Sequence, residues 1–460
     1  MAEWMPMTKP VEYSQYLKKN PDVIGIDLLI ADLNGVLRGK RIQPNALEKV
    51  FKEGICLPAS VFALDITGTT IEETGLGIES GDSDRICLPI PGTLTNIPWQ
   101  KKPMGQLLLT MVEADHQPFF ADPRQVLCRV IKHFKDLILT PVIAVELEFY
   151  LLDKRRDRQK KPQPPISPTT GKRENNTQVY SINDLDDYDE FLATVAKVAN
   201  IQGIPADTAL AEYAPGQFEI NLKHEPDPLS ACDNAILLKR LIKGVARKLG
   251  LNATFMAKPY ARQAGSGAHI HISLINEKKE NVFMDPSDKT GSSILHHAIG
   301  GLASTMKESM AIFCPNANSY RRFQPDLYVP MAPTWGMDNR TVAMRIPTGP
   351  KDAKRIEHRV SGADANPYLV VAALLAGIHH GIKNRIDPPK ISTGDAIAKH
   401  PPSLPLNWVE SLKAFSNGNV IREYIGADFF HVYYETRYKE KQKFDSHITP
   451  LELDWYLRTV

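Results

Sequence analysis

Residues 142–152 read VIAVELEFYLL, an apolar run of branched and aromatic residues interrupted only by Glu146 and Glu148. In an extended chain, residues two apart project from the same face, so both carboxylates point the same way, about 7 Å apart. Burying an unpaired carboxylate costs several kcal/mol, and a like charge beside it adds repulsion. A chain containing this strand must therefore supply that face with positive charge.

Other segments repeat the pattern. AEYAPGQFEINL carries Glu212 and Glu219 around a Pro-Gly turn, the second leading into a strand. GSGAHIHISL alternates His269, His271 and Ser273 against Ile270 and Ile272, and RIEHRV sets Arg355, Glu357 and Arg359 opposite Ile356, His358 and Val360. NRTVAMRIP adds Arg340 and Arg345. Each alone has a plain reading: an E-x-E strand can be a solvent-facing edge, and an R-x-E-x-R strand a ladder of surface ion pairs. Together they predict an α+β chain with a curved antiparallel sheet enclosing a polar funnel. Five carboxylates and an imidazole on one surface call for a hard divalent cation, Mg²⁺ or Mn²⁺. Arginines and a Gly-rich turn beside them point to phosphate, hence to nucleotide-dependent phosphoryl transfer.

The 460 residues are too many for one ordinary core. Asp122 as N-cap, Pro123 at the first helical position and a helical apolar period after it suggest a boundary near residue 120, giving domains 1–120 and 121–460. The first domain reads as strand-rich: VIGIDLLIADLNGVLRGKRI is a hairpin turning at Asn34-Gly35, with further short strands in VFALDITG, RICLPI and QLLLTMVE. Helices are expected over 187–202, 229–249, 292–313 and 366–383, and a basic, Pro-containing exposed loop over 153–178. With 55 basic and 53 acidic side chains, no overall field argues for nucleic acid. Five scattered cysteines without C-x-x-C spacing suit a reducing cytoplasm. No signal-peptide pattern opens the chain, and the apolar run 367–382 is too short to span a membrane.

The motifs VELEFYLL, AEYAPGQFEINL, AGSGAHIHISL, NSYRRFQP, NRTVAMRIP and RIEHRVSGADANPYL resemble, in order, those of the glutamine synthetase family, and DLNGVLRGKRI with PASVFALDITG extends the likeness over nearly the whole chain. The resemblance implies a small N-terminal β-grasp domain, a funnel-shaped catalytic domain, and stacked rings of subunits, dodecameric or hexameric, sharing active sites. It implies ATP-dependent formation of γ-glutamyl phosphate from glutamate, followed by attack of an amine. Glu148, Glu212 and Glu219 resemble the ligands of one metal; Glu146, His269 and Glu357 resemble those of the second. By the same likeness Gly265, Arg322 and Arg359 hold the amino acid, Arg340 and Arg345 stabilise the transferring phosphoryl group, and His271, Ser273, Arg355 and Asp207 contact ATP.

Two departures concern the amine. Glutamine-forming members carry a glutamate six residues after the Arg322 position; an ungapped alignment of RRFQPDLYVP puts Tyr328 there. Ala264 replaces the asparagine that precedes the G-S-G turn. Losing an ammonium-binding carboxylate while keeping the phosphorylation machinery implies a bulkier organic amine, and the wording resembles the γ-glutamylpolyamine synthetase branch, glutamate–putrescine ligases in particular. Asp65 stands where a neighbouring subunit's aspartate deprotonates the incoming amine; as a plain alternative it caps a turn. The segment KISTGDAIAKHPPSLP lacks the tyrosine that some relatives modify with AMP, so no adenylylation is expected. The competing expectations are a glutamine synthetase using ammonia and an inactive structural ring protein.

Overall fold

The computed structural model describes residues 10–174, 179–324 and 327–460. The first nine residues, the end of the basic loop (175–178), and Pro325 and Asp326 of RRFQPDLYVP lie outside them.

The first sheet contains β1 (Gly25–Ala31), β2 (Leu37–Ile42), β3 (Ile55–Pro58), β4 (Asp84–Pro89), β5 (Thr95–Asn96) and β6 (Met104–Val112), ordered β2-β1-β6-β4-β3 with β5 also on β6. The β1–β2 hairpin closes as its sequence predicts. Asp32 Oδ1 accepts from Asn34 N and Val36 N at 2.8 and 2.9 Å, and Gly35 supplies the left-handed φ of 70°. VFALDITG is not a strand. Residues Ala59–Phe62 form a 3₁₀ turn, and Asp65 Oδ1 accepts from Thr67 N and Thr69 N, both at 2.9 Å. A short acid bonding its own backbone has overridden the β-branched pattern.

The expected helices are observed at Pro123–Asp136, Asp189–Gln202, Pro228–Lys248, Ser293–Phe313 and Pro367–Asn384. Side chains of Asp122, Asp227, Ser292 and Asn366 cap four of them. Arg240 on the third reaches Asp27 of β1 at 2.8 Å, tying the first sheet to the rest. The helices Trp408–Ser416, Val420–Ile425, Ala427–Asp445 and Pro450–Tyr456 fall outside the segments expected to be helical. No described helix is long and apolar enough to cross a membrane.

The second sheet is built from β7 (Thr140–Asp153), β8 (Ala206–Ala211), β9 (Gln217–Leu222), β10 (Leu251–Thr254), β11 (Ala268–Ile275), β12 (Trp335–Met337), β13 (Met344–Ile346) and β14 (Ile356–His358). Its order is β12-β13-β14-β11-β7-β9-β8, with β10 beside β11 on the same edge of β7. All pairs are antiparallel except β12–β13. Val145, Leu147, Phe149, Ile220, Ile270 and Ile272 bury one face completely or nearly so. Behind the β14 end, the helices Ser293–Phe313 and Pro367–Asn384 cross at glycines. A Cβ on Gly301 would lie 2.1 Å from Gly377 O and 2.6 Å from Gly381 Cα, so only glycine permits this approach. The Phe313 ring then packs 4.7 Å from that of His358 on β14.

Candidate active site

Register explains how distant polar residues meet. Glu146 on β7 stands opposite His269 of β11, and Glu148 opposite Glu219 of β9. His271 stands opposite Glu357 of β14, which in turn faces Arg345 of β13. Directly paired residues share a face, so one side of five strands gathers these groups while the apolar side enters the core. Glu212 joins them from the turn after β8, where its N–H bonds Gln217 O at 2.9 Å. The polar face lines a cavity of about 500 Å³.

Carboxylate oxygens of Glu148, Glu212 and Glu219 all lie within 4.8 Å of one another, as do ligand atoms of Glu146, Glu219 and His269, and of Glu146, His271 and Glu357. All six metal-type residues read from the sequence are thus together, but the second group is wider than that reading. Glu219 belongs to two clusters and His271 joins one. His269 Nδ1 lies 3.3 Å from Glu146 and 4.0 Å from Glu357. His271 Nε2 is 2.8 Å from Glu146 Oε1, but out of line for a hydrogen bond.

The protein's own groups leave this charge unevenly balanced. Burial would raise Glu146, yet the adjoining His269 and His271 outweigh it and hold the carboxyl far below the usual range. Burial likewise opposes ionisation of Glu357, and Arg359, the two histidines and Arg345 overcome it. Glu212 has too little such help: burial first, then the Glu148 charge, outweigh Arg340 and Arg359 and push it up to about 8. Glu219 is driven to about 10 by burial and by the charges of Glu146, Glu148 and Glu212. Carboxylates kept protonated by one another, beside an imidazole, are the donor set a hard divalent cation fits.

The candidate substrate-binding residues Gly265, Arg322, Arg359 and Tyr328 all line the cavity, as do Arg340 and Arg345. Arg322 is buried, donates from Nη1 to Val360 O at 3.0 Å, and packs its stem where a Cβ on Gly265 would lie only 2.6 Å from Cγ. The Nε atoms of Arg322 and Arg359 are buried without a hydrogen-bond partner among the described residues. Arg359 and Arg345 both pair with Glu357, Arg345 at 2.8 Å, and Arg345 also meets Asp338 at 2.5 Å. Arg340 is exposed, its Nη1 3.4 Å from the Tyr180 hydroxyl.

The candidate nucleotide residues lie just beyond the cavity. Ser273 continues the face of His269 and His271 along β11, and Arg355 Nε donates to His271 Nδ1 at 3.0 Å. Asp207, exposed on β8, faces Lys223 at 3.6 Å. His224, which no pattern singles out, sets its ring 6.0 Å from that of His271. Asp65 does not line the cavity of its own chain: it is fully buried, bonded to its turn and to Lys443 Nζ at 2.8 Å. Two further lining residues, Tyr180 and Tyr213, escape the sequence patterns; adjacency to Glu212 is the one signal for Tyr213. Its ring lies 6.3 Å from that of Tyr328.

Residues 120–456 match the model described as glutamine synthetase, catalytic domain. The chain is 46% identical over 447 residues to the gamma-glutamylputrescine synthetase of Escherichia coli (strain K12), covering 97% of this chain and 94% of that protein. It is 32% identical to the glutamate–isopropylamine ligase of a Pseudomonas species, with 96% of each chain covered. The fold superposes on the solved structure of a GmaS/ADP complex with a TM-score of 0.84 at 26% identity, covering 98% of this chain and all of that one.

Proposed function

The chain belongs to the glutamine synthetase family, and from that premise we propose an ATP-dependent ligase that joins the γ-carboxylate of glutamate to an organic amine through γ-glutamyl phosphate. The observation that carries this reading is the pair of carboxylate clusters sharing Glu219 within a cavity that also holds Arg340, Arg345 and Arg359.

In this reading Glu148, Glu212 and Glu219 hold one Mg²⁺ or Mn²⁺, and Glu146, His269 and Glu357 hold a second, with His271 close by. The cations supply charge neutralisation for the phosphates of ATP. Buried Arg322 and Arg359, each with an unused Nε, bind the amino acid against the side-chain-free Gly265. Arg340 and Arg345 stabilise the transferring phosphoryl group, while His271, Ser273, Arg355 and Asp207 contact the nucleotide. Excluding water then protects the acyl phosphate until the amine attacks.

A protonated alkylamine must first lose a proton. Asp65 of an adjacent subunit is the proposed base, within stacked rings of a cytoplasmic homo-oligomer. Exposed Leu451, Leu453, Trp455 and Leu457 near the C-terminus support such association, whereas the Lys443 pair favours a turn-holding role for Asp65. Tyr328 at the amine side, and relatives named for putrescine and isopropylamine, support an organic acceptor over ammonia.

The test is ADP release with glutamate and a panel of ammonium, putrescine, spermidine and simple alkylamines. We expect kcat/KM to be higher for an organic amine than for ammonium. Ammonium winning clearly would make this a glutamine synthetase. Failure to bind either Mn²⁺ or ATP would return the structural ring reading.

A further inference from the structure

We propose that Tyr213 and Tyr328 form an aromatic wall that reads the hydrocarbon part of the amine acceptor, an inference that rests on the ligase reading above. Both rings line the cavity, yet they are 43% and 49% exposed, so they stand at its solvent edge. Their centroids are 6.3 Å apart with planes tilted by 46°, in mutual contact as one continuous surface rather than the two sides of a slot. Val179, Leu210, Ala264, Leu327 and Val329 add further apolar lining.

The placement of this wall is specific. Tyr213 follows Glu212 directly, so the wall begins one residue from the carboxylate clusters where the chemistry lies. Tyr180, also in the lining, accepts through its hydroxyl from Arg340 Nη1 at 3.4 Å. An amine whose nitrogen approaches the clusters can lay its carbon chain along Tyr213 and Tyr328, whose rings offer the apolar surface that the Arg340 guanidinium does not. Tyr328 also holds a left-handed φ of 52°, a conformation that a bulky residue rarely adopts without a compensating use. Among the described residues, the side chains that flank the two rings, Val179, Leu210, Leu327 and Val329, carry no carboxylate, so the wall recognises hydrocarbon rather than a second ammonium group.

The experiment compares ammonium, n-butylamine and putrescine as acceptors for the wild-type protein, Tyr213→Ala and Tyr213→Phe. For Tyr213→Ala, kcat/KM for both four-carbon amines relative to ammonium is expected to fall by about tenfold or more, the scale of losing hydrocarbon contacts in a specificity pocket. The loss should fall on the amine KM rather than on kcat. Tyr213→Phe, which keeps the ring and loses the hydroxyl, should stay within about threefold of wild type on the same scale. The wall is refuted if the alanine variant keeps the wild-type ratios. It is refuted equally if only putrescine suffers, which would mean recognition of the distal charge, or if the phenylalanine variant falls as far as the alanine. A wild-type protein that releases ADP with none of the three amines would instead remove the ligase reading, and this subsite with it.

Discussion

Two buried ionic groups in this chain use similar residues to opposite ends. At the junction of three helices, Asp233 accepts from Arg124 at 2.9 and 3.0 Å and from the Tyr368 hydroxyl at 2.6 Å. Both carboxylate oxygens are met inside the protein. In the funnel, Glu212 and Glu219 face other carboxylates and are forced towards the protonated state. Buried charge is structural where the chain completes it, and available for chemistry where the chain withholds the partner.

The contrast can be broken most sharply at Glu219. Replacing Glu219 with Gln should cost on the order of 10³-fold in kcat, since it removes a ligand of the first proposed cation site that also belongs to the cluster around Glu146 and His269. Thermal unfolding of the metal-free variant should show no loss of stability, because Gln replaces a carboxyl that its neighbours already hold protonated. A large drop in Tm with retained turnover would invert the comparison.

Asp233→Asn should behave in the opposite way. It strands the Arg124 guanidinium and is expected to cost ~3–5 kcal/mol in denaturant unfolding, with folded protein still turning over. A neutral effect on stability would show that the junction does not depend on this pair.

The two groups should also differ in their response to pH. Glu212 and Glu219 bind protons more tightly folded than unfolded, so the metal-free protein loses stability as pH rises from the ordinary carboxylate range through about 8 and about 10. Added Mg²⁺ should flatten that slope, and Glu219→Gln should reduce it; a metal-free profile that rises with pH would contradict the charge assignment. The smallest effect belongs to Tyr368→Phe, which removes one hydrogen bond to Asp233 and should lower stability by ~1 kcal/mol without altering the amine preference. A loss of several kcal/mol would mean the hydroxyl organises more than that bond.

Alternation made much of the funnel legible. Glu146 with Glu148, His269 with His271, and Arg355 with Glu357 each declare a polar face by spacing alone. Their meeting is not local information. His269 is 123 residues from the glutamate it touches, and only strand register selects that pairing over a neighbouring one. VFALDITG misled because a strand pattern cannot reveal that Asp65 will bond its own turn. Tyr213 carried no periodic signature, as its position at the rim depends on the turn after β8. The helices between 408 and 456 were unanticipated; the longest of them, Ala427–Asp445, distributes apolar and charged residues around its circumference with little one-sidedness.

The glycine crossing behind the second sheet sets where this molecule can change. Any side chain at Gly301 or Gly381 would wedge two helices apart and, through Phe313 and His358, tilt the strand that carries Glu357. At the rim, by contrast, Tyr213 and Tyr328 are exposed to solvent. New acceptor preferences can therefore be acquired by altering the front of the protein while its back stays invariant, so that diversification and catalytic fidelity need not compete for the same residues.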